Sequence, residues 1–309
     1  MLQDVAARPA VLAAAQWLPL AEAHAHRADE LTRGHRERAG LRQPHPVEDF
    51  LFTYYSLRPA RLRRWHAGVE QALLGAAARD RLAWRWYAEV EAVDADGRAV
   101  AAVGLDLAAY LADRGDVVAF VADLLGAIDR RPAQLGCFGL HEWAMVYRSP
   151  KHEVRHEDWP LRLGPGGTDA VVEAHQLRCS HFDAYRFFAP EALDRNAIRP
   201  TRETQVQLDQ PGCLHATMDL YRYSYKLGPL VPGELLLACF ELARDIRVLD
   251  MRASPYDLTA LGYSPVKIET PAGKSEYVAA QRAFSIRAQP LRQQLIETCK
   301  QVLPPSSRP

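Results

Sequence analysis

Three short stretches carry most of the chemistry this chain can offer. Cys137 precedes His141 and Glu142; Cys179, His181 and Asp183 alternate; and Cys213, His215 and Asp219 fall inside about two helical turns. Ring side chains accompany each acid: Trp143 beside Glu142, Tyr185 and Phe187 after Asp183, and Tyr221 after Asp219. Taken alone, the third stretch reads as a core helix whose His215 is satisfied by Asp219 on the same face. The recurrence asks for more than that.

Thiols with imidazoles invite zinc. The three stretches contain no CxxC, and CxH sets its two ligands far apart around a helix. PGCLHA lacks the HxE and downstream PCxxC pattern of a zinc deaminase. No metal and no other cofactor are therefore expected. Carboxylates beside aromatic rings suit another chemistry, the cleavage of an N-glycosidic bond. A carboxylate can stabilise the oxocarbenium-like sugar or direct water at it. Rings and polar edges can hold a base that has left its stack.

The elements that must position these groups are those of a soluble globular protein. The chain has 309 residues, 48% hydrophobic and 25% charged. Lys plus Arg equals Asp plus Glu at 38 each, which argues against a DNA-coating protein but not against one basic face. Arg61, Arg63, Arg64 and His66 around Trp65 form such a face, a candidate contact for nucleic-acid backbone. Five scattered cysteines do not make a disulfide framework. The N-terminal stretch lacks a basic leader, and no apolar run reaches membrane length, so a cytoplasmic protein that avoids membranes is expected. No obligatory protein partner is evident.

The chain reads as one globular domain over residues 1–309. Residues 1–45 give an Ala-rich helix interrupted near Pro19, then a charged arm; residues 46–303 form the core; residues 304–309 fray. A helix over 50–57 ends at Pro59, and a hairpin turns at Asp96-Gly97. Two helices follow over 105–113 and 116–130. An ionisable loop from Lys151 leads to a helix starting near Ala170, residues 191–210 form a loop, and Glu234–Asp250 is an amphipathic helix. A short strand turns at Pro271-Ala272-Gly273, and a last helix from Ser275 breaks near Pro290. The fold class is α+β, mainly helical with small antiparallel elements near 82–104 and 265–277.

The spacing Gly164-x-Gly166-x-x-x-Ala170 is similar to the hairpin of helix-hairpin-helix DNA glycosylases, with Pro165 in place of the usual apolar residue. That likeness implies backbone amides against a DNA phosphate and a catalytic aspartate further on, where Asp183 stands. The segments HPVEDFLFTYYSLRP, GCFGLHEWAMVYR, WPLRLGPGGTDAVVE, RCSHFDAYRFF, QPGCLHATMDLY and LDMRASPYDL together resemble a bacterial family labelled 3-methyladenine DNA glycosylase, over residues 45–290. The resemblance implies a DNA partner and a hydrolase that flips out an alkylated or bulky base, in repair or in defence against modified foreign DNA.

Chemistry and spacing make Asp183 the first candidate for the catalytic carboxylate, then Asp219 and Glu142. His141, His181 and His215 are candidates to read the base, and Trp143, Tyr185, Phe187 and Tyr221 to wall it. Gly164, Gly166, Arg61, Arg63 and Arg64 are candidates for the DNA backbone. The alternative is a zinc- or iron-dependent hydrolase or oxygenase acting on a small molecule through the Cys/His stretches.

Overall fold

The computed structural model describes residues 8–149 and 158–304. The expected frayed tail beyond 304, the start of the first helix at 1–7 and the first part of the ionisable loop, up to 157, lie outside them.

The chain opens with strand β1 (Ala10–Leu12) and helix α1 (Ala14–Leu41), followed by the short helices α2 (Phe50–Thr53) and α3 (Pro59–Leu62). α1 overturns two expectations. It runs through Pro19 and absorbs most of the charged arm. Trp17, His24, Ala28 and Thr32 are its buried residues, a stripe spaced by one or two helical turns in which His24 and Thr32 are polar. His24 bonds the Leu62 carbonyl at 2.9 Å, which fixes the arm on the body. Pro59 starts a helix instead of ending one, at the first-turn position where its missing N–H costs nothing.

Strand β2 (Gln71–Leu73), a 3₁₀ stretch (Ala76–Ala83), and strands β3 (Tyr87–Val93) and β4 (Ala99–Leu105) come next. β3 and β4 form the expected hairpin, with Gly97 at φ 77° in its turn and Asp94 accepting from the Asp96 and Arg98 amides. The sheet is mixed rather than purely antiparallel. β1 runs parallel to β2 and meets β3 at Ala10–Val93, closing the order β1-β2-β4-β3 into a small ring.

Helix α4 (Leu107–Asp129) is continuous where two helices were expected. Asp106 caps it by accepting from the Ala109 amide. Burial of Val118, Val121, Leu124 and Leu125 outweighs the penalty of about 1 kcal/mol for a glycine inside the helix. Five short helices lead to the centre: α5 (Leu140–Ala144), α6 (Gly164–Glu173), α7 (Phe182–Tyr185), α8 (Pro190–Leu193) and α9 (Gln205–Leu208). α6 starts at Gly164, not near Ala170, so Gly164 and Gly166 lie in a helical first turn rather than in a loop ahead of it. α8 and α9 occupy part of the expected 191–210 loop.

The long helices α10 (Leu214–Leu227), α11 (Gly233–Arg252) and α12 (Pro271–Val302) pack on one another, and α10 and α12 also pack on α4. α12 corrects the expected strand and turn near 265–277. Pro271 is its first residue, Thr270 caps it through the Gly273 amide at 3.1 Å, and it continues through Pro290. Among the described residues no helix is long and apolar enough to cross a membrane.

A Cβ on Gly273 would lie 2.0 Å from the Lys267 carbonyl oxygen, so only glycine lets the 263–270 segment fold onto the start of α12. Gly273→Ala is expected to cost about 3 kcal/mol. It should lower the urea midpoint with an unchanged slope.

Candidate functional site

The three Cys/His stretches meet. Cys137 and His141, Cys179 and Ser180, and Cys213 and His215 line one cavity of about 290 Å³. Its remaining walls come from Gln134, Arg178, Gln210, Tyr277 and Gln281. Three chain segments are stitched together to make it. Gln210 accepts from the Gln134 and Gly212 amides at 2.8 and 2.7 Å, and Gln281 donates to the Gly212 carbonyl. Gly212 is required there, since a Cβ would sit 2.5 Å from the Gln134 carbonyl oxygen. His141 enters on α5 after two left-handed residues, Phe138 and Gly139, and His215 enters on the first turn of α10.

The imidazoles form a row. His215 lies edge-on to His141 at 4.5 Å between centroids and stacked on His181 at 5.6 Å. The outer two are each tied to acid. His141 Nε2 is 2.8 Å from Asp250, and His181 Nδ1 is 3.1 Å from Asp209. Burial disfavours charge on His141, but Asp250 outweighs it and holds the ring well above the usual histidine range. Burial likewise opposes His181, yet Asp209 and Asp219 raise it to about 9. His215 has no such acid. Burial, then His141, drive it far below the usual range, so it is a neutral ring with no hydrogen-bond partner among the described residues. Arg247 braces the far side of Asp250 at 3.0 Å and also pairs with Glu142 at 2.9 Å.

The other expected site residues fall away from the cavity. Asp183 does not line it; Arg222 and Arg186 pair with its carboxylate, and Arg222 holds it below the ordinary range despite burial. Asp219 is buried beneath Tyr55, whose hydroxyl donates to it at 2.9 Å, and burial pushes it up. Glu142 is occupied by Arg247. His181 backs His215 without reaching the cavity wall. Trp143 is core, its indole N–H donating to the Ala253 carbonyl, and Tyr221 is core against Tyr55 and Phe240. Tyr185 donates to the Leu193 carbonyl, and Phe187 lies against Tyr54 and Arg186. Gly164 lines a separate apolar pocket with Trp159 and Tyr256, and Gly166 has no role at the cavity. Each displaced carboxylate has a cation nearby, and each displaced tryptophan, tyrosine or phenylalanine ring has its own packing partners. Pairwise spacing cannot see those tertiary partners.

The basic cluster divides. Arg61 and Arg64 line a cleft of about 430 Å³ with Arg58, Arg85, Trp84 and Trp86, and no carboxylate among the described residues lines it. Arg63 points elsewhere and pairs with Asp29. Trp65 is buried and donates to Glu234, so the aromatic walls belong to Trp84 and Trp86 of a different segment. Arg81 stacks 3.9 Å over Trp84. Burial and the Arg81 charge push His66, at the cleft's edge, down to about 3.

His141, His215 and Asp250 present ligand atoms within 4.8 Å of one another. The fit to a metal is poor. His141 and Asp250 already form a hydrogen bond, and the Arg247 guanidinium lies 3.0 Å from the other Asp250 oxygen. HEVRH at 152–156 has the HExxH zinc spacing and lies outside the described residues.

The His181 pair has a pH consequence. A pKa raised by folding stabilises fully below the unfolded value, and the gain is lost as pH climbs through the folded one. With His181 raised from 6.5 to about 9, the pair should contribute up to about 3 kcal/mol near pH 6 and lose it towards pH 9. His215, buried neutral, acts in the opposite sense and costs stability below about pH 6.5. Urea midpoints across this range should fall above neutrality in the wild type, and His181→Gln should flatten that fall.

Comparison with family models, with curated proteins and with solved structures finds no match for this chain.

Proposed function

We propose that the protein is a DNA glycosylase that takes an alkylated or bulky nucleobase into the Cys137–His141–His215 cavity and hydrolyses its N-glycosidic bond. One observation carries the reading: unpartnered polar atoms converge on a small, deep cavity. The His215 ring has no hydrogen-bond partner among the described residues, and the Gln281 Oε1 atom is buried without one. A cavity of about 290 Å³ lies at the small end of ligand sites and suits one flat polar ring. Buried polar groups left open in this way are satisfied by a ligand that supplies matching donors and acceptors.

Roles follow from geometry. His141, held protonated by Asp250, offers a proton to the departing base. His215 and Gln281 read the base edge, and Tyr277 provides a ring against its face. An alkylated base that is already cationic needs less protonation, which eases the demand on a cavity lined by no carboxylate. The arginine cleft supplies the backbone contact. Tyr225 at that cleft and His215 at the cavity are ten residues apart on α10, about 15 Å along the helix.

The test is abasic-site formation on duplexes carrying different modified bases. His141→Gln should lower the rate about a hundredfold. Asp183→Asn should stay within about tenfold, since that carboxylate serves Arg222. If no modified base is released from any duplex, the reading fails. Arg64→Ala should weaken DNA binding whatever the sequence and reduce the salt slope by about 1. The metal-dependent alternative would have to use the His141–His215–Asp250 cluster. Stoichiometric zinc or iron in untagged protein would support it over base excision.

A further inference from the structure

The cavity holds a group that base hydrolysis does not use. The Cys137 sulfur lies 3.7 Å from His141 Nδ1, and the opposite nitrogen of that ring is 2.8 Å from Asp250. Thiol, imidazole and carboxylate thus stand in line, the arrangement that activates a nucleophile. The other two thiols differ. Cys179 and Cys213 are buried, and burial pushes both well above the usual thiol range. Cys137 is partly exposed at the cavity wall. Phe138, the next residue, adopts a left-handed backbone at φ 50°, a strained conformation of the kind that clusters at reactive sites. The cavity in front of the thiol carries His215, 7% exposed, and the buried Gln281 Oε1, neither with a hydrogen-bond partner among the described residues.

We propose that Cys137 is a nucleophile that accepts the alkyl group of an alkylated nucleobase held in this cavity. The proposal rests on the base-binding reading above and adds a second activity, direct dealkylation. The thiol proton leaves to solvent at the partly exposed cavity wall, and the thiolate is held against the His141 imidazolium, which Asp250 pairs from its other side. The sulfur bonds to the alkyl carbon, and the bond from that carbon to the cationic ring nitrogen breaks. Its electron pair stays on the nitrogen, leaving a neutral base and a thioether on Cys137. Charge balances between thiolate and cationic base, and no oxidant or further reactant enters. The step is stoichiometric, one alkyl group per chain.

Duplex DNA methylated with dimethyl sulfate provides the probe, read by intact and peptide mass spectrometry of the protein and by abasic-site counting on the DNA. The expected result is a gain of one methyl group per chain on the Cys137 peptide. Cys137→Ser abolishes it with an unchanged circular dichroism spectrum, His141→Gln slows it about a hundredfold, and Cys239→Ser, in the core, leaves it intact. Abasic sites with no change in protein mass overturn the transfer and leave base excision standing. Neither mass gain nor base loss overturns both, and methylation distributed equally over the five cysteines overturns the assignment to Cys137.

Discussion

Asp250 is the group on which the rest of the centre depends. It is fully buried at the end of α11 and touches both His141 from α5 and Arg247 from its own helix. A lone carboxylate at that depth would be prohibitive; paired with two cations and hydrogen-bonded on both oxygens, it is tolerable. With Glu142 on the other side of Arg247, two acids face a guanidinium and an imidazolium, so the cluster is neutral as a whole. Removing any member strands another charge in the core. Leu140 and Trp143, on the helix that carries His141, are buried with it.

A second buried cluster repeats the logic on the other side of His215. His181 lies between Asp209 and Asp219, Tyr55 donates to Asp219, and Arg222 links Asp219 to Asp183. The neutral ring of His215 therefore sits between two cationic ones. Burial, with their like charge, keeps it uncharged, and it lines the cavity with no hydrogen-bond partner among the described residues. The acids that look catalytic in the sequence are largely the counter-ions of this arrangement.

Much of the architecture is legible from local pattern, and the failures have specific causes. The hairpin at Asp96-Gly97 and the helices at 214–227 and 233–252 follow from turn chemistry and apolar period. The strands at 10–12 and 71–73 do not, since three residues pairing across sixty leave no periodic trace. Prolines mislead in both directions: Pro19 and Pro290 are carried inside helices, while Pro59 and Pro271 open them. At the site, Cys137, His141, Cys179, Cys213 and His215 were visible as repeated words. Gln134, Gln210, Tyr277 and Gln281 were not, because amides and phenols are common and only the close approach of Gly212 to Gln134 brings theirs together. Asp250 marked a helix end in the sequence, and nothing local tied it to a histidine 109 positions away.

Helix α10 carries His215 near its first turn and Tyr225 near its last, so one rigid rod joins the imidazole cavity to the arginine–tryptophan cleft. Such a rod behaves as a ruler. Lengthening it by one residue would swing the far end about 100° and advance it about 1.5 Å, turning Tyr225 off the cleft while leaving His215 in register. The interval between the two sites is therefore quantised by helical geometry, and whatever spans them must match one fixed length and one fixed phase.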